Sequence, residues 1–261
     1  WIIYPQQSIL IGRFFSALTS TAITPLIYLL TQKLLRNKHA AVIASALTVA
    51  MTGFIQYAHF ITFESIQTFF YLLISLLSIS IIQQSSWKRY IILGCLIGLT
   101  IGTKVNNLYL LILPLLLRAI EEIKNKSADE SNFFSLMTVD FRKVLFNKVT
   151  VWSVFLAVAT YFITNPYVLI DLPVFIDSIA FESNVATGVR EIFYTREFIG
   201  NTPGLYQIQH VLPFISGYLF ATFSIFSLFY FIFYLVQSRE SKEVHWLPLL
   251  YIYGVYLFLN I

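Results

Sequence analysis

Five stretches of this chain, residues 14–32, 40–64, 65–87, 149–170 and 211–238, carry no charged residue short of Glu64 at the end of the second. Each is long enough for about 30 Å of hydrocarbon at roughly 1.5 Å per helical residue. Inside lipid every backbone N–H and C=O needs an internal partner, so runs of this kind fold as helices. Of the 261 residues 57% are hydrophobic and 11% charged, which excludes an ordinary soluble enzyme and predicts an all-α polytopic membrane protein. The formal charge of +4 follows from membrane topology, and no basic cluster interleaved with aromatics marks a nucleic-acid surface. The single cysteine, Cys95, excludes an intramolecular disulfide and a thiolate metal cluster.

Residues 90–117 decide the topology, because they are apolar throughout except for Lys104 in the middle. As one span, they would put Lys88 and Arg89 on the opposite side from the basic residues that follow, against the positive-inside rule. As two short spans meeting at Lys104, they leave all but four of the 17 basic residues cytoplasmic. The exceptions are Arg13, Lys104, Arg190 and Arg196. About eight spans result, the last beginning near Trp246 and cut short, with residues 118–148 as a cytoplasmic loop and 165–210 as an external loop. Two half-length spans place Lys104 below the outer surface, where an ammonium needs a hydrated cavity, a counter-charge or a snorkelling route to the headgroups.

Other features fit one helical domain over residues 1–261. Gly94, Gly98 and Gly102 share a helix face at the spacing that lets helices approach closely in lipid. Pro25, Pro114 and Pro213 lie within predicted spans as kink sites. A short amphipathic helix is expected near residues 141–146. The chain opens on Trp1 with neither Met nor a signal pattern and stops at Ile261 inside an apolar run, so it reads as part of a longer protein.

No Walker loop, dinucleotide fingerprint, His-Glu-x-x-His or nucleophile elbow is present, so any chemistry must come from scattered polar groups. The external ends supply Arg13, His59, Glu64, Lys104 and the charged segment from Asp171 to His210. Glu64 interrupts apolar sequence between two spans joined by about five residues, where a carboxylate either meets a cation or serves acid/base or positioning work. The alternative is a solvated turn glutamate. His59 and Glu64 alone are weak evidence for metal, and no metal site is assigned. Arg190 and Arg196 stand beside Glu191 and Glu197 as in an ordinary solvated charge pattern, while Tyr194, Phe198 and Tyr206 form either a sugar platform or an interfacial belt.

Several motifs occur in a recognisable order: Gly12-Arg13-Phe14-Phe15-Ser16-Ala17-Leu18, the hairpin from Tyr57 to Glu64, Gly94 through Lys104, and Asn165-Pro166-Tyr167 with Asp171 and the segment from Gly188 to Gly200. Together they resemble the polyprenyl-phosphate-sugar-dependent glycosyltransferases of the GT-C fold, the protein mannosyltransferase and aminoarabinose-transferase-like group. The resemblance covers nearly the whole chain and is strongest over residues 8–118. It implies a GT-C-like transmembrane helix bundle that moves a sugar from a dolichyl or undecaprenyl phosphate donor to a protein or glycolipid hydroxyl on the external or luminal face. No cofactor is implied beyond the lipid-linked sugar substrate. The membrane is the plasma membrane in a prokaryote and the endoplasmic reticulum in a eukaryote.

The resemblance also assigns roles. Arg13 and Lys104 are the main candidates to hold the donor phosphate, with Arg190 and Arg196 behind them. His59, Asp171, Tyr194 and Tyr206 are cavity residues, and Glu64 is the catalytic-site carboxylate. In the family the base lies in a first external loop after a first transmembrane helix, so both are expected upstream of Trp1. Where the family more often has Asp, this chain has Glu64. A different class, a transporter or flippase-like carrier, also accommodates a lysine between two short spans.

Overall fold

The computed structural model describes residues 5–125, 140–193, 195–196, 200–202, 204–237 and 246–260. Among them every regular element is helical and no strand occurs. The chain is a helical membrane protein. Helix α1 (Pro5–Leu35) and helix α4 (Phe63–Gln83) are each long and apolar enough to cross a bilayer. Between them α2 (Lys38–Ala50) and α3 (Thr52–His59) form a pair bent by 55° at Met51, where the expected single run is broken. The following connection is only Phe60, Ile61 and Thr62, tightened by a bond from the Thr62 N–H to the Phe60 carbonyl at 3.0 Å.

Helices α1 and α4 run parallel. The Ser20 hydroxyl donates to Ser65 Oγ at 2.8 Å near one end of the pair, and Lys33 Nζ donates to Ser80 Oγ near the other. Helix α5 (Trp87–Thr103) returns and stops where the sequence places the break: Lys104 is extended, with φ −158° and ψ 125°, and a 3₁₀ segment over Val105–Ile112 leads into α6 (Leu113–Asn125). Helix α6 therefore occupies the first part of the expected 118–148 loop. A short α7 (Phe141–Leu145) matches the expected amphipathic helix, with exposed Phe141 and Phe146 around Arg142 and Lys143.

Helix α8 (Lys148–Thr164) lies parallel to α5 along the glycine face. A Cβ at Gly94 would lie 2.2 Å from the Ser153 carbonyl oxygen, and one at Gly98 would lie 2.4 Å from that of Ala157. The Ser153 hydroxyl also donates to the Tyr90 carbonyl at 2.8 Å across this seam. Backbone cannot yield as a side-chain tip can, so Gly94→Ala or Gly98→Ala should part the helices. Overpacking of this kind costs about 1–3 kcal/mol. The expected result is a lower melting temperature in detergent for either variant, with Gly254→Ala, which has open space around it, unchanged.

Beyond α8 the expected external loop carries helix among its described residues, with one turn α9 (Tyr167–Ile170) and then α10 (Leu172–Ala186). A π-turn over Gln207–Val211 leads to α11 (Leu212–Ser216) and α12 (Tyr218–Gln237). The run expected as one span from Val211 bends by 120° at Gly217, whose φ of +81° a side chain would oppose. Helix α13 (Leu247–Asn260) closes the bundle against α4. Two of the three proline expectations need correction: Pro114 and Pro213 sit in the first turns of α6 and α11, where a missing N–H costs nothing. Pro25 lies inside α1, as expected.

Candidate active-site cleft at the Lys104 helix break

The break at Lys104 is held open by a polar network inside an otherwise apolar core. The Thr100 carbonyl accepts from the Lys104 N–H at 3.4 Å and from Asn107 Nδ2 at 2.9 Å. Asn107 Oδ1 in turn accepts from Gln67 Nε2 at 3.0 Å and from the Tyr71 hydroxyl. Tyr109 extends the network, its hydroxyl lying 3.2 Å from that of Tyr71 and 2.8 Å from the Ile252 carbonyl. A helix end in a membrane core must satisfy its carbonyls from within, and these side chains do so.

Lys104 leaves the break half-buried, with Nζ 5.5 Å from the centroid of the Phe63 ring. Phe63 opens α4 next to Glu64, which stands in the first helical turn, where the helix dipole favours a carboxylate. Glu64 Oε2 and the Thr62 hydroxyl are enclosed there, neither with a hydrogen-bond partner among the described residues. Tyr57 and Tyr256 lie close enough to feel the Glu64 charge. Enclosed polar atoms without partners cost about 1–3 kcal/mol each, and native structures tolerate few of them.

On its other side Lys104 lines a cleft of about 780 Å³ between the ends of α5 and α8 and the start of α10. Thr103, Asn165, Tyr167 and Asp171 contribute polar groups, and Tyr161, Val174 and Phe175 give it apolar walls. Asp171 is exposed between α9 and α10, so the cleft holds both signs of charge. Arg13 belongs to the same end of the bundle. Its neighbour Gly12 packs so closely on Ile61 that a Cβ would meet Ile61 Cγ2 at 2.8 Å, and Arg13 itself is exposed beside the Phe60–Thr62 connection.

The remaining sequence candidates are more scattered. His59 is exposed, and its Nδ1–H donates to the Ile55 carbonyl of its own helix at 2.7 Å. Arg190 lies 4.5 Å above the Phe181 ring, and its N–H bonds the Asn184 carbonyl at 2.9 Å, toward the end of α10 away from the cleft. Arg196 is exposed. Tyr206 stacks near His210 with ring centroids 5.0 Å apart. Tyr194 and Phe198 lie outside the described residues. Among the described residues no three His, Cys, Asp or Glu side chains are grouped as metal ligands. The Gln67, Tyr71, Asn107 and Tyr109 network was not anticipated, although the polar pair Asn106-Asn107 just after Lys104 signals it.

An all-helical membrane bundle with a polar cleft at a broken helix defines the class. Residues 5–152, more than half of the chain, match the sequence profile of the family described as dolichyl-phosphate-mannose-protein mannosyltransferase, and the chain belongs to that family. Membership supports a glycosyltransferase-type enzymatic role. No curated protein and no solved structure matches the chain.

Proposed function

We propose that this protein is a membrane glycosyltransferase that moves a sugar from a polyprenyl phosphate donor, dolichyl or undecaprenyl, to a hydroxyl of a protein or glycolipid. The observation that carries the reading is Lys104 at a helix break, between the Phe63-Glu64 turn and an open cleft, in a chain of this family. In this reading the chain makes about eight crossings, and the cleft faces the external or luminal side. The acceptor hydroxyl loses its proton to a carboxylate, its oxygen attacks the anomeric carbon, and the bond from that carbon to the phosphate oxygen breaks. Charge grows on the departing polyprenyl phosphate, and cations fixed in a partly dehydrated site stabilise it more than water does.

Lys104 and Arg13 are the cations assigned to this phosphate, one as a compact charge and the other through paired hydrogen bonds. Glu64 orients a substrate hydroxyl or the base. Asp171 and Tyr167 in the cleft wall suit contacts to sugar hydroxyls. Arg190, Arg196 and Tyr206 are assigned to the outer segment that follows α10.

Membranes containing the protein should transfer label from radiolabelled polyprenyl phosphate sugar to a protein or glycolipid fraction, and membranes without it should not. Absence of transfer, together with uptake of the labelled substrate into sealed vesicles, would replace this reading with that of a carrier.

A further inference from the structure

We infer that the end of the bundle opposite the cleft carries a site for an anionic glycerophospholipid, in the groove between the first turns of α5 and α8. The groove measures about 510 Å³ and is lined by Trp87, Ile91, Lys148, Val149, Trp152 and Leu156. Its walls are apolar except at the mouth. Trp87 and Trp152 are 61% and 58% exposed, so two indoles flank a slot that no other part of the described chain fills. Indoles at this depth favour the boundary between acyl chains and headgroups.

The charge at the mouth selects the headgroup. Because α5 and α8 run parallel, their positive N-terminal ends open at the same level. Lys148 is the first residue of α8, and Lys88, the second of α5, is exposed beside Trp87. Helix α7, joined to α8 through Phe146 and Asn147, adds Arg142 and Lys143 with exposed Phe141 and Phe146 on the same segment. Among the described residues the nearby acids already face cations: Asp140 lies 4.0 Å from Lys143, and Glu121 and Glu122 pair with Arg118. A phosphodiester bearing acyl chains satisfies both parts: one chain lies between the indoles, and the phosphate sits against Lys148 and Lys88. A zwitterionic lipid fills the slot equally well but carries its own cation to a basic mouth.

The test uses the whole chain with Trp1→Phe and Trp246→Phe, which leaves Trp87 and Trp152 as the fluorophores. It is reconstituted in mixed vesicles of phosphatidylcholine and phosphatidylglycerol, with one or the other lipid dibrominated. Quenching should report a preference for phosphatidylglycerol of about fivefold or more, the contribution of a single lysine beside an anionic headgroup. Lys88→Gln with Lys148→Gln should bring the two lipids to parity, whereas Arg36→Gln with Lys38→Gln, elsewhere on the basic end, should leave the preference intact.

Equal quenching by both lipids in the parent protein would overturn the site. So would an equal loss in the Arg36/Lys38 variant, which would mean diffuse attraction to the basic end. If inorganic phosphate at constant ionic strength erased the preference, the mouth would be a free-phosphate site rather than a lipid site.

Discussion

Replacing Lys104 by glutamine should lower sugar transfer about 100-fold or more, the usual cost of removing one group that stabilises developing charge on a leaving oxyanion. The cation matters at the barrier because the phosphodiester becomes a phosphate monoester as the sugar leaves. The loss should appear with every acceptor, since all acceptors share the leaving group. Lys104→Arg should retain much of the activity, because charge is kept near the Phe63 ring. Arg13→Gln should act in the same direction but less strongly, since Arg13 is exposed and is not among the residues that line the cleft with Lys104.

A competing account is structural: Lys104 stands at the C-terminal end of α5, where a cation also offsets the helix dipole. That role is worth about 0.3–1 kcal/mol of stability. The two accounts separate by measuring the melting temperature in detergent beside donor-dependent kinetics. Unchanged turnover with lowered melting temperature would make Lys104 a helix cap, and a defect confined to one acceptor would remove it from the phosphate.

The parts of the fold legible in sequence are those where charge interrupts a long apolar run. The Lys104 break is the clearest case, because an unbroken run would put Lys88 and Arg89 on the opposite side from the basic residues that follow, and Lys104 marks where the chain can turn. The glycine face was legible for a different reason: glycines four apart let another helix approach closely, and α8 does so, with its backbone at Gly94 and Gly98 and the Asn165 side chain at Gly102. The break at Met51 was not legible. No proline, glycine pair or charge marks it, and the Thr48 hydroxyl bonds back to the Ala44 carbonyl just before the helix ends. The bend at Gly217 had a local signal, a glycine at a helix C-terminus, but the surrounding hydropathy hid it.

The site was legible as types of residue rather than as an arrangement. Sequence singled out Lys104, Glu64, Asp171 and Arg13, and the structure puts the first three around one break and cleft with Arg13 at the same end. It did not reveal the buried support. Gln67, Tyr71, Ser75 and Ser78 form a polar stripe on one face of α4, and in a single sequence that stripe reads as tolerated small and amphipathic residues. The folded partners show why the stripe points inward: Asn107 beside the α5 break meets Gln67 and Tyr71, and Tyr253 of α13 meets Ser75.

Glu64→Gln should reduce turnover by more than about tenfold, equivalent to roughly 1.4 kcal/mol at the barrier, without lowering the amount of protein in the membrane. The substitution keeps the shape of the side chain and removes its charge. In the structure Oε2 is enclosed beside Tyr57 and Tyr256 with no hydrogen-bond donor among the described residues, so an acceptor is held ready at the start of α4 near Lys104. An amide in the same place turns one acceptor into a donor and weakens the hold on a substrate hydroxyl or on the base. Glu64→Asp keeps the charge at shorter reach and should retain more activity than the glutamine variant. If Glu64 only complements the α4 dipole, its neutralisation costs about 0.3–1 kcal/mol of stability and leaves turnover alone. Wild-type turnover in the glutamine variant, with a small fall in melting temperature, would therefore reduce Glu64 to a helix-terminal charge and leave Asp171 as the carboxylate of the cleft.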